Sequence, residues 1–298
     1  MKQLTTYIKE GLFEKDNVDK LTKALNHHIE LTISKINNIG VYGWQLFHVN
    51  KQERDLTKFI DKITLDGKEI DVKDCYENLG RCYEKINGEG IVKIYFNEDI
   101  YTGEEFHRLF SKTDIKEITF MPTIKNKKLN FAECFHKSLV EKVNFHDNFK
   151  SNKISSLDMA FDECHYLTEI INIDKLNLSE CKNISFTFNN ASNLSTETIN
   201  NFFKNDFSNV EFPIKVIEGM NNRKNSGRTP YELDLTTFNF NNCFEYENKW
   251  IINKIPLPDG TKIKLTQDQY DFMLKHCRSF KITRKEIKEG KKYIFEIV

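Results

Sequence analysis

The sequence predicts an α+β protein built around a repeat solenoid, with one short strand per coil of 24–27 residues, an N-terminal α/β cap and a small C-terminal α+β domain. Three observations predict it. A Phe followed three residues later by a small residue recurs as Phe110/Thr113, Phe135/Ser138, Phe161/Cys164 and Phe188/Ala191, with the Phe positions 25, 26 and 27 residues apart. The first three copies are each trailed by a short apolar segment carrying Ile118, Val143, or Leu167 with Ile170. The chain has only 12 Gly and 5 Pro in 298 residues, and the best linker signal, 219–230, falls after the repeats. One such coil cannot bury its own apolar face; stacking lays Phe on Phe and strand beside strand in a shared core. With so little Gly, the coils are expected to turn on Asn, Asp and Ser.

In chain order, residues 1–80 form an N-terminal segment and cap. Val18, Leu21, Leu25, Ile29 and Ile36 make a helical stripe over 16–36, and 63–72 reads as a hairpin turning on Asp66-Gly67. The solenoid spans 81–218. Its first, divergent copy pairs Tyr83 with the apolar run 91–96, which precedes the Ile118 strand by 24 residues. The fourth copy keeps Leu194 but has Glu197 where the next apolar residue falls, as terminal repeats often degenerate. A short helix over 198–204 follows. Residues 229–298 form the C-terminal domain: apolar runs at 250–252 and 262–265 flank a turn at 258–260. Thr266 and Gln269 then have capping-box form ahead of a helix to about Cys277, and strands at 280–282 and 293–298 close the unit.

The stretch Ala160-Phe161-Asp-Glu-Cys164-His-Tyr-Leu167-Thr-Glu-Ile170 resembles the A-F-x-x-C-x-x-L-x-x-I core of BspA-like leucine-rich repeats, and Ile118-Thr-Phe120-Met-Pro122 resembles that family's strand-then-Pro step. The resemblance covers about residues 81–200. It implies a right-handed leucine-rich-repeat-like solenoid that binds other macromolecules. The coils here are longer than that family's usual repeat, and Thr113, Ser138 and Ala191 stand at the Cys place of the other copies.

No phosphate-binding loop, dinucleotide fingerprint, nucleophile elbow or H-E-x-x-H occurs. Cys134 with His136, and Cys164 with His165, are the available thiol–imidazole pairs, but both fall at equivalent turns of the repeat, where Cys reads as a small core residue and His as its surface neighbour. His27-His28 reads as part of the N-terminal helix, and Glu104-Glu105 and Asp162-Glu163 read as solvated acidic neighbours. Seven scattered cysteines without a C-x-x-C pair read as free thiols in a reducing compartment. No catalytic, cofactor or metal residue is therefore assigned, and the expectation is a non-enzymatic protein that needs no cofactor.

Charge excludes a general attraction to polyanions, since 44 basic residues balance 44 acidic ones. Locally, 275–292 carries eight basic against two acidic residues, so Lys281, Arg284, Lys285, Lys288, Lys291 and Lys292 are the candidate contacts for phosphate or an acidic partner. The start is charged, without the apolar core of a secretory signal, and no run is long enough to cross a bilayer. Residues 1–11 place Leu4, Tyr7 and Ile8 on one helical face. This segment is also similar to the capsid-targeting sequences of internal head proteins of T-even-type bacteriophages. That resemblance implies maturation cleavage after Glu10, with Ile8 and Gly11 in the recognition places. The expected function is binding of a protein or glycan partner through the solenoid surface, in the cytoplasm. The alternative is a virion protein packaged through its N-terminus. Oligomeric state is left open.

Overall fold

A computed structural model describes residues 28–33, 44–45, 58, 60–72, 81–82, 90–96, 104–120, 128–147, 149, 153–207, 209–210, 231–237, 261–276 and 293–297. Strands dominate these residues, helices are few, and the centre is a β-solenoid of about four turns. The strands are β1 (His28–Ile33), β2 (Trp44–Gln45), β3 (Ile60–Leu65), β4 (Lys68–Ile70), β5 (Arg81–Cys82), β6 (Gly90–Phe96), β7 (Glu117–Phe120), β8 (Lys128–Asn130), β9 (Lys142–Phe145), β10 (Lys153–Ser156), β11 (Glu169–Ile171), β12 (Glu232–Asp234), β13 (Thr261–Leu265) and β14 (Tyr293–Ile297). Among the described residues the α-helices are α1 (Thr196–Phe202) and α2 (Gln267–His276).

The solenoid's main ladder is parallel: β7 pairs with β9 and β9 with β11, with Ile118 beside Val143 beside Ile170. A second parallel ladder joins β8 to β10 and continues through single bridges to Asn177 and Asn183. Between these ladders lies a turn ribbon in each coil, over 106–113, 131–138, 157–164 and 184–191.

The ribbon is where the sequence's Gly scarcity is resolved, and not as expected. Left-handed backbone occurs twice per ribbon, at Arg108 and Lys112, Glu133 and Lys137, Met159 and Glu163, and Phe186 and Asn190, with φ between 50° and 59°. Only one of these eight is Asn, Asp or Ser. Holding an L-residue there costs on the order of 1–2 kcal/mol, and lateral hydrogen bonds offset it. The N–H groups of Arg108, Phe110 and Lys112 donate to the carbonyls of Ala132, Cys134 and His136, and the next two ribbons repeat this with their successors. Asn130, Ser156 and Asn183 act instead through their side chains, accepting from the N–H of Ala132, Asp158 and Ser185 at 3.0, 3.2 and 2.9 Å and so opening each ribbon.

Two expectations for the N-terminal part are corrected. Residues 28–33 are strand, not helix: His28-Ile-Glu-Leu-Thr-Ile33 alternates apolar and polar residues, and both edges of β1 are taken up by antiparallel pairing, to β6 and to β7. The run 91–96 is a strand in the same sheet, but β1 lies between it and β7, so β6 does not stack directly on the first coil. The seven-stranded sheet runs β11-β9-β7-β1-β6-β3-β4. The Asp66-Gly67 hairpin forms as read, both residues having positive φ (49° and 83°), which a two-residue turn between twisted strands requires. Asp66 also ties the turn to β6, its carboxylate accepting from the Ile91 N–H at 2.9 Å.

Beyond β11, α1 occupies the next place along the ladder. Ser195 caps its start, accepting from the Thr198 N–H at 3.1 Å. Thr198 Oγ1 accepts from the Ile170 N–H on one side, while on the other Asn200 donates to the Glu232 carbonyl and accepts from the Asp234 N–H. A side-chain amide thus continues what a strand edge would do, and the parallel sheet β12-β13-β14 follows. Leu233, Leu235, Ile263 and Leu265 join the same apolar core as the coils. The capping box ahead of α2 forms in both directions, with Gln269 N–H to Thr266 Oγ1 at 3.3 Å and Thr266 N–H to Gln269 Oε1 at 2.8 Å.

Candidate functional site

The Phe positions and their small partners build the scaffold on which any site must sit. Phe110, Phe135, Phe161 and Phe188 form a continuous stack, with ring centroids 5.4, 5.3 and 5.9 Å apart and planes within 23° of parallel. Thr113, Ser138, Cys164 and Ala191 are buried beside them, with Leu167 and Leu194 behind. Ile118, Val143 and Ile170 face the core from the main ladder. A shorter stack, Phe106 on Phe131 at 5.1 Å, runs along the inner edge of the first two ribbons.

Residues on the outer side of the ribbon fall into columns because each coil places them alike. Following each ladder Phe by one residue, Ser111, His136, Asp162 and Asn189 stand in one line. Ser111 Oγ donates to the His136 carbonyl at 3.0 Å, His136 Nδ1 lies 2.9 Å from Asp162 Oδ2, and Asn189 Nδ2 donates to Asp162 Oδ1 at 2.6 Å. Burial pushes the Asp162 carboxyl above its ordinary range, against the pull of Asn189 and His136. Alongside runs the left-handed column, where Lys137 Nζ is 3.2 Å from Glu163 Oε1. At the ribbon's other end, Arg108 grips Glu133 with Nε–Oε2 and Nη2–Oε1 contacts of 2.8 and 2.6 Å. Partial burial raises the Glu133 carboxyl, but the Arg108 hydrogen bond and charge outweigh it and hold the group below its usual range.

The same coil-to-coil pairing covers the other faces. Lys116–Glu141, Lys142–Glu169, Lys153–Glu180 and Lys175–Asp147 each bridge one turn of the solenoid. Glu104 takes a hydrogen bond from Asn130 in the coil above it. Large apolar side chains interrupt this polar surface at Ile171 on β11 and at Leu139 and Tyr166, the last two 41% and 55% exposed at equivalent corners of successive coils.

Neither thiol–imidazole pair assembles. Cys134 is fully buried in the core, whereas His136 belongs to the outer column. Cys164 donates inward to the Phe135 carbonyl at 2.9 Å, while His165 bonds the Asn190 carbonyl at 3.0 Å. Burial pushes the Cys164 thiol up to about 12, and the Cys181 thiol likewise, so neither supplies thiolate at neutral pH. Asp162 and Glu163, read as solvated neighbours, are held differently: Asp162 is 6% exposed and locked by Asn189.

The column Ser111–His136–Asp162–Asn189 was missed in the sequence, although the repeat alignment carries its signal, since each member directly follows its Phe. The processing residues Ile8, Glu10 and Gly11, the basic group Lys281, Arg284, Lys285, Lys288, Lys291 and Lys292, and His27 lie outside the described residues. No family model, no curated protein and no solved structure matches the chain.

Proposed function

We propose that the chain is a non-enzymatic, leucine-rich-repeat-like protein of BspA-like type that binds a protein or glycan partner through the solenoid surface, its solenoid spanning 81–218 between a cap and a C-terminal domain. The observation that carries this reading is the set of coil-to-coil ion pairs. They hold polar side chains at fixed spacings on a rigid Phe-stacked frame, as a preorganised recognition surface requires. The two thiols best placed to react are instead sunk in the core. Exposed Leu139 and Tyr166 supply the apolar contact that polar display surfaces usually add at their centre.

The test is affinity capture with purified full-length protein, set beside a variant carrying Leu139→Asp and Tyr166→Asp and a second carrying Lys153→Glu and Lys175→Glu. A partner that wild type enriches and at least one folded surface variant loses supports the reading. Equal capture by all three, or steady turnover of a substrate by wild type, sinks it.

A packaging role in a phage particle is the second reading, favoured by Ile8, Glu10 and Gly11 lying ahead of β1, so that cleavage after Glu10 leaves every described strand intact. Intact-mass measurement on purified particles decides it: absence of the chain ends the idea, and survival of residue 1 ends its cleavage step.

A further inference from the structure

We propose that His136, Asp162 and Glu163 form a binding site for a divalent metal ion of the zinc type at the outer edge of the second and third coils. The three side chains each offer one ligand atom, and these atoms all lie within 4.8 Å of one another. One imidazole nitrogen with two carboxylate oxygens is a donor set suited to zinc and its neighbours rather than to magnesium, which prefers oxygen alone.

Geometry inside the cluster favours an ion over a hydrogen bond. His136 Nδ1 is shielded from solvent yet has no hydrogen-bond partner, although Asp162 Oδ2 is only 2.9 Å away. Ligands bound at about 2.0–2.1 Å on a tetrahedral ion are about 3.3–3.4 Å apart, so Nδ1 and Oδ2 need part by only about half an ångström to admit one. Asp162 is already oriented for this. Its other oxygen is held by Asn189 at 2.6 Å, which fixes the carboxylate plane as outer partners of metal ligands do and leaves Oδ2 for the ion. Electrostatics point the same way. Asp162 is 6% exposed, so its carboxylate oxygens are largely withdrawn from water. Two carboxylates lie here beside one lysine, Lys137, 3.2 Å from Glu163. The Lys137 side chain is 44% exposed, so an entering cation can release it to solvent. The fourth position would be taken by water.

The experiment uses the full chain stripped of metal with a chelator and titrated by calorimetry with zinc alone and, separately, magnesium alone. One equivalent of zinc binds and magnesium does not. His136→Gln and Glu163→Gln each weaken zinc binding at least tenfold with unchanged circular dichroism, whereas His165→Ala, on the neighbouring turn, leaves it unaltered. Should those variants fail to fold, anomalous difference density from zinc-soaked wild-type crystals locates the ion directly. A peak bounded by His136 and Asp162 supports the site. No saturable zinc binding, binding unchanged in folded His136 and Glu163 variants, or an anomalous peak elsewhere overturns it.

Discussion

Phe135 and Phe161 lie face to face, ring centroids 5.3 Å apart and planes 8° from parallel, although 26 residues separate them in the chain. The offset stack places each ring against the next coil, so the registration of two whole coils is coupled to one side-chain contact.

Phe135→Ala leaves a cavity between two neighbours, Phe110 and Phe161, that cannot close without shifting a coil. A loss of about 3–5 kcal/mol is expected from denaturant unfolding. Phe135→Leu, which keeps most of the volume, should cost clearly less, and equal losses for the two would show that the stack is not what holds the register.

Lys112 is exposed and left-handed, with φ of 55°. Lys112→Gly removes the Cβ penalty and should be neutral or stabilising by up to about 1 kcal/mol, whereas Lys112→Val should destabilise by about 1 kcal/mol or more. Thermal unfolding of the pair checks the order; Val at or above Gly would mean the ribbon tolerates any backbone there.

Burial pushes the thiols of Cys164 and Cys181 from the ordinary thiol range up to about 12. In alkali the unfolded chain loses these protons first, so their stabilising contribution is complete below about pH 9 and falls as pH rises towards 12, by at most about 1.4 kcal/mol per pH unit for each thiol. Cys164→Ala with Cys181→Ala should flatten that part of the stability–pH curve. Native protein at pH 8 should also leave both thiols unalkylated while unfolded protein is labelled at each, as peptide mass mapping would read.

Arg108 and Glu133 form a two-point contact at the surface, with Arg108 36% and Glu133 22% exposed. Glu133→Gln should cost no more than about 1 kcal/mol at pH 7 and low salt. Because the folded-state Glu133 carboxyl is held low, its contribution is present above the unfolded carboxylate range and is lost as pH falls through the folded value. A mutant penalty that persists in high salt, or at pH 2, would show packing rather than charge to be responsible.

Much of the solenoid was legible because its anchors are large and evenly spaced: the Phe positions and their trailing strands occur where stacking needs them. β1 was misread because Val18, Leu21, Leu25 and Ile29 suggested a helical period, while Ile29, Leu31 and Ile33 alternate within the same window. Only pairing to two distant strands selects between the two periods. The left-handed positions were unreadable for a different reason. Arg, Lys, Glu, Met and Phe carry no preference for that backbone, and lateral hydrogen bonds between coils impose it. His136 and Asp162 were each visible, but they were read separately, because 26 residues divide them and only the coil register brings Nδ1 to Oδ2.

The direction of the ribbon hydrogen bonds has an electrical consequence. From Arg108 to Glu163, each lateral ribbon N–H points towards the following coil and each accepting carbonyl points back. Peptide dipoles on this face therefore add along the solenoid axis, as they do in a helix, with the positive pole towards the C-terminal end. A chain whose formal charges cancel thus carries an axial field on one face, and every further coil laid down in register would lengthen it.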